Sequence, residues 1–221
     1  MGLRRIEKPQ SLRDRAYEEI KQAIISQSLK PGQELREREI SELLGISRTP
    51  VREARQALER EGWVRTIPWK GVYVCDISPE EIEEVFQLRQ ANEGLAVELA
   101  ADRATEAELA HLQVLIKGQV KAADRGDRQT FINLDRDFHV YLAELSGNRR
   151  LNYLLSNLSD QMKRLGTQAI SMEGRTRTTL AEHERIVAAL AKRDAQGARR
   201  AMDVHILSTR SAVINSLTKQ G

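Results

Sequence analysis

The chain has 221 residues, of which 40% are hydrophobic and 30% are charged, a balance typical of a soluble globular protein with room for two modest domains. No apolar run approaches the ~20 residues that a membrane-spanning helix needs, and the charged segment from Met1 to Lys8 does not resemble a signal peptide. The single cysteine, Cys75, excludes an intrachain disulfide and a thiolate metal site, so we expect a reducing, cytoplasmic compartment.

The positive charge is concentrated at one end of the chain. Residues 1–76 hold 15 Lys and Arg against 12 Asp and Glu, whereas residues 77–221 hold 20 of each kind. This excess in the first third is a weak indication that it binds nucleic acid.

Two helices are predicted before residue 45. A helical spacing of apolar residues begins at Ser11, and the Pro-Gly pair at 31–32 stops it. A second, shorter helix is predicted over 37–44, and a glycine follows it as a tight turn. The side chains expected to point inward from the second helix are Ile40, Leu43 and Leu44.

The third helix carries the strongest local signals. It starts after Ser47, whose side chain suits an N-cap, and runs to about residue 61. Its core-facing positions, spaced i, i+3 and i+7, are Val51, Ala54 and Leu58. The remaining sides carry Arg48, Thr49, Arg52 and Arg55. Arginines on a helix often only face solvent, but a capped first turn with arginine and hydroxyl groups also suits the major groove of DNA.

Two strand-like runs follow at 63–67 and 71–74, and residues 68–70 form the tip of a hairpin between them. Lys70 and Gly71 at this tip could approach a DNA backbone or minor groove closely. Three helices followed by a hairpin make the winged helix-turn-helix layout, which favours the DNA-binding interpretation of the arginines.

The remainder of the chain shows only helical patterns. Ser78 can cap a helix that has Pro79 at its first position. Short breaks between successive helices imply antiparallel neighbours, so we predict an antiparallel α-helical bundle. The predicted helices are 79–103, 106–125, 128–145, 148–171, 174–193 and 195–217.

Three of the four histidines lie where a metal site could form. Asp135 and His139 are spaced i, i+4 on one helix face, and His183 and His205 lie beside apolar residues on two other helices. Three imidazoles and a carboxylate suit zinc, nickel, manganese or iron. Each histidine could instead be a core residue with a hydrogen-bond partner, and the i, i+4 pair could be a surface contact. His111 has no acidic partner at that spacing, and we expect it at the surface.

The first third resembles the DNA-binding domain of GntR-type regulators. The matching segments are Leu29–Gly32, Leu35, Glu39–Ala54, Leu58, Glu61–Val64 and Gly71–Val74. This resemblance implies DNA contacts from Arg38, Ser47, Arg48, Thr49, Arg52 and Gly71, with Arg38 touching phosphate.

Residues 79–215 resemble the FCD domain, the effector-binding bundle of the FadR branch of these regulators. The segments that carry this resemblance are Leu134–His139, Glu182–Leu190 and Ala198–His205. Metal-binding members use one Asp and three His, and the resemblance assigns these roles to Asp135, His139, His183 and His205. It also suggests that Arg89 reaches a ligand carboxylate, although Glu93 one turn later could simply pair with Arg89.

The sequence therefore predicts a mainly α protein with a winged helix-turn-helix at 1–76 and an FCD effector-binding and dimerisation bundle at 77–221. We expect a homodimeric transcription regulator, a repressor by default, controlled by a small organic acid at a divalent metal, most simply zinc. A metal-dependent hydrolase is the alternative. We expect no enzyme, because Val187 occupies the position of the second histidine in a metalloprotease motif. A structural DNA-bending protein is a second alternative, but it would not need a polar cavity in the bundle.

Overall fold

The computed structural model describes residues 10–218, in which nine helices and one two-stranded antiparallel sheet follow in chain order. The chain divides into two units, the first ending at Ile77 and the second beginning at Ser78. The first contains α1 Leu12–Ile25, α2 Glu37–Leu44, α3 Arg48–Arg60, β1 Val64–Ile67 and β2 Gly71–Val74. The second contains α4 Pro79–Ala101, α5 Glu106–Asp124, α6 Arg128–Leu145, α7 Arg149–Ala169, α8 Arg175–Ala191 and α9 Ala195–Thr218.

The core of the first unit forms where α1 packs on α3. Ser11 caps α1 by accepting a hydrogen bond from the backbone N–H of Asp14 at 3.1 Å. The strands pair from Val64 opposite Val74 to Ile67 opposite Gly71, which is the predicted hairpin. Its buried apolar cluster includes Ile20, Ile24, Val51, Ala54, Leu58 and Trp63.

One predicted core residue of α2 faces solvent. Leu43 is 85% exposed, whereas Ile40 is buried and Leu44 packs partly against the core. At about 100° per residue, positions 40 and 44 share one side of the helix. Leu43 lies about 100° away from Leu44, so the inward placement of Leu43 was wrong.

The second unit is all helical in the part of the chain that the structure describes. Helix α4 packs against α9, α6 and α7, while α5 packs against α6 and α8. Four of its helices begin at side-chain caps: Ser78, Asp127 and Asn148 cap α4, α6 and α7, and Thr105 forms a capping box with Glu108 at the start of α5. The chain is mainly α, as predicted. No helix within residues 10–218 has the length and apolar character needed to span a membrane.

Candidate metal centre and nucleic-acid interface

Three buried imidazoles meet inside the second unit. His139 lies on α6, His183 on α8 and His205 on α9, and each offers a ring nitrogen within 4.8 Å of those of the other two. The ring of Phe138 stacks on His183 with a centroid separation of 4.1 Å, which fixes the plane of that imidazole. Three helices thus bring together histidines that are far apart in the sequence.

Asp135 completes the cluster from the turn of α6 that precedes His139. Its Oδ1 lies 3.5 Å from His183 Nε2, and its Oδ2 lies 4.0 Å from His139 Nε2. Burial raises the pKa of the Asp135 carboxyl, while His139 and Arg89 act in the opposite direction. The four residues singled out from the sequence therefore lie side by side.

Each imidazole has a polar partner at Nδ1. His183 Nδ1 lies 3.0 Å from Gln119 Oε1, and His205 Nδ1 lies 2.9 Å from Glu182 Oε2. His139 Nδ1 lies 2.5 Å from Glu93 Oε2, in an ion-pair contact that lacks hydrogen-bond alignment. Such contacts at one ring nitrogen orient the other nitrogen toward a metal.

The opposite ring nitrogens are left for a ligand. Within residues 10–218, the buried Nε2 atoms of His139 and His183 have no hydrogen-bond partner. Burial lowers the pKa of His183 and of His205 well below the ordinary value, and neighbouring positive groups lower both further. The lowered pKa values of His183 and His205, the orphaned Nε2 atoms of His139 and His183, and the adjacent carboxylate together fit a divalent metal of borderline softness.

Arg89 lies in the wall of a cavity that Asp135, His139 and His205 also line. Its Nε donates to Glu93 Oε1 at 2.7 Å, and both side chains are buried. Burial raises the pKa of Glu93, but Arg89 and His139 outweigh it and hold that pKa well below the usual range. The Nη groups of Arg89 have no acceptor among the residues described. Arg89 therefore pairs with Glu93 and still has donors for a ligand.

A second buried arginine, Arg175, contacts the carboxylate that binds His205. Arg175 contacts Glu182 at 3.0 Å and donates to Ser208 and Thr209, both at 2.6 Å. Glu182 in turn holds His205. Neither residue spacing nor the family resemblance indicated roles for Gln119, Glu182 and Arg175. Only Glu182 carried a local signal, since it directly precedes a histidine, whereas Gln119 lies in an otherwise apolar helix face.

The first turn of α3 is open to solvent. Ser47, Arg48 and Thr49 are exposed, and the Ser47 side chain makes no capping hydrogen bond. Ser47 has the extended backbone of an N-cap, so its predicted position is correct while its hydroxyl is available for another contact. These groups are placed as a DNA-reading helix requires.

The other predicted DNA contacts differ in how firmly they are held. Arg38 on α2 is exposed and pairs with Glu42 at 2.9 Å. Arg52 is also exposed and contacts Glu37 at 3.1 Å. Arg55 is largely buried and binds Glu37 and Glu59, so it joins α2 to α3 instead of facing outward.

At the hairpin, Lys70 is exposed and Gly71 has a φ of 127°. A Cβ atom at Gly71 would lie 3.0 Å from the side chain of Glu34, so the glycine allows a close approach of two chain segments. His111 is exposed, as predicted, and its ring lies against Tyr141.

Comparison with known proteins identifies both units. The sequence model for bacterial regulatory proteins of the gntR family matches residues 12–74, and that for the FCD domain matches residues 84–208. The HTH-type transcriptional regulator YdhC of Bacillus subtilis is 30% identical over 202 residues, covering 91% of this chain and 90% of that protein. The HTH-type transcriptional repressor RspR of Escherichia coli is 29% identical over 197 residues, covering 89% and 86%.

A comparison with solved structures agrees with this assignment of the two units. E. coli McbR/YncC superposes with a TM-score of 0.78 at 25% identity, covering 94% of this chain and 99% of the other. The relatives carry the names of transcription regulators, in agreement with the expectation that this chain is not an enzyme.

Proposed function

The chain belongs to the GntR family of bacterial regulators and carries an FCD domain, and from this premise we propose that it is a repressor released from its operator by a small organic acid bound at a divalent metal. Residues 1–76 bind operator DNA, and residues 77–221 bind the effector and pair with a second copy. The observation that supports the sensing role is the set of three buried imidazoles whose ring nitrogens lie within 4.8 Å of one another.

The donor set favours zinc, although nickel, manganese and iron remain candidates. Asp135, His139, His183 and His205 would hold the ion, which would leave open positions for a ligand if its coordination were octahedral. When bound, the ion would supply positive charge and a site for a carboxylate oxygen. The contacts from Glu93, Gln119 and Glu182 already set the orientation of the imidazoles.

Charge in the cavity supports an anionic effector. Four basic side chains line the cavity, Arg89, Arg136, Lys163 and Arg175, against two acidic ones, Glu93 and Asp135. A divalent ion would add two further positive charges. An anionic effector would then offset this positive charge, which the cost of burying unpaired charge favours.

Arg89 is the residue that we expect to grip the acid. Its Nε is occupied by Glu93, but both of its Nη groups remain available. A guanidinium can hold a carboxylate through two parallel hydrogen bonds, which the point charge of a lysine cannot do. The effector would thus bridge Arg89 and the metal.

For the DNA half, we propose that the first turn of α3 enters the major groove. Arg48 and Arg52 would reach base edges or phosphates, and Ser47 and Thr49 would contact the backbone. Arg38 would bind phosphate, while Lys70 and Gly71 would approach the DNA from the hairpin.

A homodimer fits both halves, because a two-fold protein matches a two-fold operator. The second unit offers a surface for this contact. Exposed apolar residues lie at i, i+3 or i+7 spacing along α4 and α9, which pack against each other. They are Leu88, Leu95, Val204, Leu207 and Ile214.

Effector binding is expected to change the packing of the bundle and so the spacing of the two DNA-binding units. A ligand shifts such an equilibrium only by its differential affinity for the two states, typically ~1–3 kcal/mol. The acid therefore releases DNA only if it binds the DNA-free conformation of the protein more tightly than the DNA-bound conformation.

The test begins with duplex DNA selected from a random library by the wild-type protein. Binding of the selected duplex is then measured by fluorescence anisotropy with added zinc and a panel of small organic acids. We expect one acid to weaken binding only when metal is present. No acid effect with a fully metal-loaded protein would contradict the proposal.

Two histidine variants sharpen this test. His183→Ala removes a proposed ligand and should lower the bound metal and abolish the acid response. His111→Ala changes an exposed histidine outside the centre and should retain both. Full metal content in His183→Ala would remove that residue from the ligand set.

A further inference from the structure

We propose that the effector carries two anionic groups, and that Arg136 and Lys163 bind the second of these groups in a subsite apart from the metal ligands. This inference rests on the proposed function, because it assumes that the first carboxylate lies between Arg89 and the metal. It restricts the effector to diacids, or to acids that carry a phosphate group, built on a short carbon skeleton.

Helix α7 lines the cavity with a polar stripe. The side chains at positions 152, 156, 159 and 163 recur every three or four residues, so they lie on one side of the helix, and all of them line the cavity. They are Asn152, Ser156, Ser159 and Lys163. Helix α7 supplies none of the proposed metal ligands, although it packs against α4, α6 and α9. Helices of a bundle usually turn apolar side chains inward, so a polar stripe in this place points to a polar ligand.

Arg136 joins this stripe from α6. Its Nε donates to Ser159 Oγ at 2.8 Å, and Ser159 is buried. Its Nη1 contacts Asp137 at 3.4 Å, whereas its Nη2 has no acceptor among the residues that the structure describes. Arg136 precedes His139 by three residues, so their side chains leave one face of α6 about 4.5 Å apart along the helix axis. A short molecule can therefore contact the metal centre and Arg136 at the same time.

Arg136 and Lys163 lie close enough to repel each other. Burial lowers the pKa of the Lys163 ammonium, and Arg136 lowers it further, while Asp160 and Asp137 act in the opposite direction. Both cations line the cavity, but neither of these two aspartates does. An anion bound between the guanidinium and the ammonium would offset their repulsion.

The acidic groups of the cavity are engaged elsewhere. Within residues 10–218 the carboxylates that line it are Glu93 and Asp135. Glu93 accepts from Arg89 Nε, and Asp135 faces the histidines. A second anionic group of the ligand is therefore the remaining source of negative charge for the Arg136 side of the cavity.

The rest of the lining suits a carbon chain with charged ends. Ile132, Val140 and Leu155 give the cavity apolar surface. The side-chain amide of Asn152 makes no hydrogen bond to the described residues, so it can donate to an oxygen of the ligand. Apolar walls with a few separate polar groups are typical of sites that bind small molecules in one orientation.

Matched ligand pairs test the subsite. Metal-loaded wild-type protein is titrated by calorimetry with the diacids from malonate to adipate and with the half-amide of each, which keeps the shape but lacks the second charge. We expect the preferred diacid to bind roughly tenfold more tightly than its half-amide, as one charge-assisted contact requires. Metal content is measured in every sample, because these acids can chelate metal. Tighter binding of phosphonoacetate than of malonate would identify a phosphate as the second group, and the reverse order would identify a carboxylate.

Variants then locate the second contact. Lys163→Met keeps most of the side-chain length and should reduce the preference for the diacid, and adding Arg136→Gln should abolish it, with metal still bound. Lys117→Met makes the same change on an exposed part of α5 outside the cavity, and it should retain the wild-type preference.

The outcomes separate this inference from the proposed function. Equal affinity of the wild-type protein for each diacid and its half-amide would overturn the subsite and leave the proposed function standing. A preference unchanged in the double variant, with its helical circular dichroism intact, would do the same. Failure of every acid in the series to bind the metal-loaded protein would overturn the proposed function as well.

Discussion

The Glu93→Gln variant tests how the buried centre is held together. Glu93 lies between two groups, with Oε1 2.7 Å from Arg89 Nε and Oε2 2.5 Å from His139 Nδ1. Glutamine has nearly the same shape but no charge. The substitution therefore leaves the Arg89 guanidinium buried without this counter-ion, and with the amide oxygen facing Arg89 it places an NH2 group, instead of a carboxylate oxygen, against His139 Nδ1.

The expected loss is large compared with that of a surface pair. Two charges at about 4 Å attract by about 4 kcal/mol at an effective dielectric constant near 20. Breaking a buried pair by removing one partner typically costs ~3–5 kcal/mol, so we expect a loss in this range. Loss of the carboxylate that contacts a proposed metal ligand should also weaken metal binding by about 10–100-fold.

Glu83→Gln is the matched control. Glu83 lies on the same helix and pairs with Arg210, but both side chains are partly exposed. Such pairs contribute about 0–1 kcal/mol, so this variant should remain close to wild type. The double variant Arg89→Met, Glu93→Gln removes both charges and should recover part of the stability.

Urea unfolding separates the two units. Both tryptophans lie in the first unit, so their fluorescence reports that unit alone, while most of the helical circular dichroism comes from the second. Glu93→Gln should shift the helical transition and leave the fluorescence transition in place. Helical transitions of Glu93→Gln and Glu83→Gln at the same urea concentration would refute a stabilising role for the buried pair.

Two further predictions concern the reading helix and acid stability. Arg48→Ala should weaken binding of the selected duplex by ~1–3 kcal/mol and relax selection at one base pair. Arg60 is exposed at the other end of α3, so Arg60→Ala should preserve base selection. Equal base selectivity of the two variants would argue against docking of the first turn of α3 in the major groove. Because burial lowers the pKa values of His183 and His205, the metal-free unfolded chain binds protons that the folded chain does not. The unfolding free energy of the second unit should be constant above pH 6.5 and fall by up to about 2.7 kcal/mol per pH unit below it, at 1.36 kcal/mol for each histidine. Urea titrations with a chelator measure this slope, and a flat profile from pH 7 to 5 would contradict the neutral state of the two residues.

Local signals in the sequence, namely capping residues and the spacing of apolar residues, were sufficient to predict the helices. Ser78 caps α4 as expected, and the apolar spacing placed the six helices of the second unit within about two residues of their ends. Leu43 was misjudged because α2 spans only eight residues, about two turns, which leaves few positions to define its inner side.

Contacts between distant segments could not be read in this way. The spacing of Asp135 and His139 put them on one face, but nothing local indicated that Gln119 on α5 would meet His183 on α8. Arg55 likewise looked like another exposed arginine of α3, and only the packing of α2 shows that Glu37 holds it. Such pairings depend on tertiary structure, which periodicity does not encode.

The centre draws its groups from five of the six helices of the second unit, since Glu93 and Gln119 add α4 and α5 to the three helices that carry histidines. Loading a cation would therefore restrain the sliding and rotation of almost the whole bundle at once. Resistance to proteases and slow amide exchange in all five helices should then rise together with metal content, so the abundance of the intact protein in a cell would follow its metal supply.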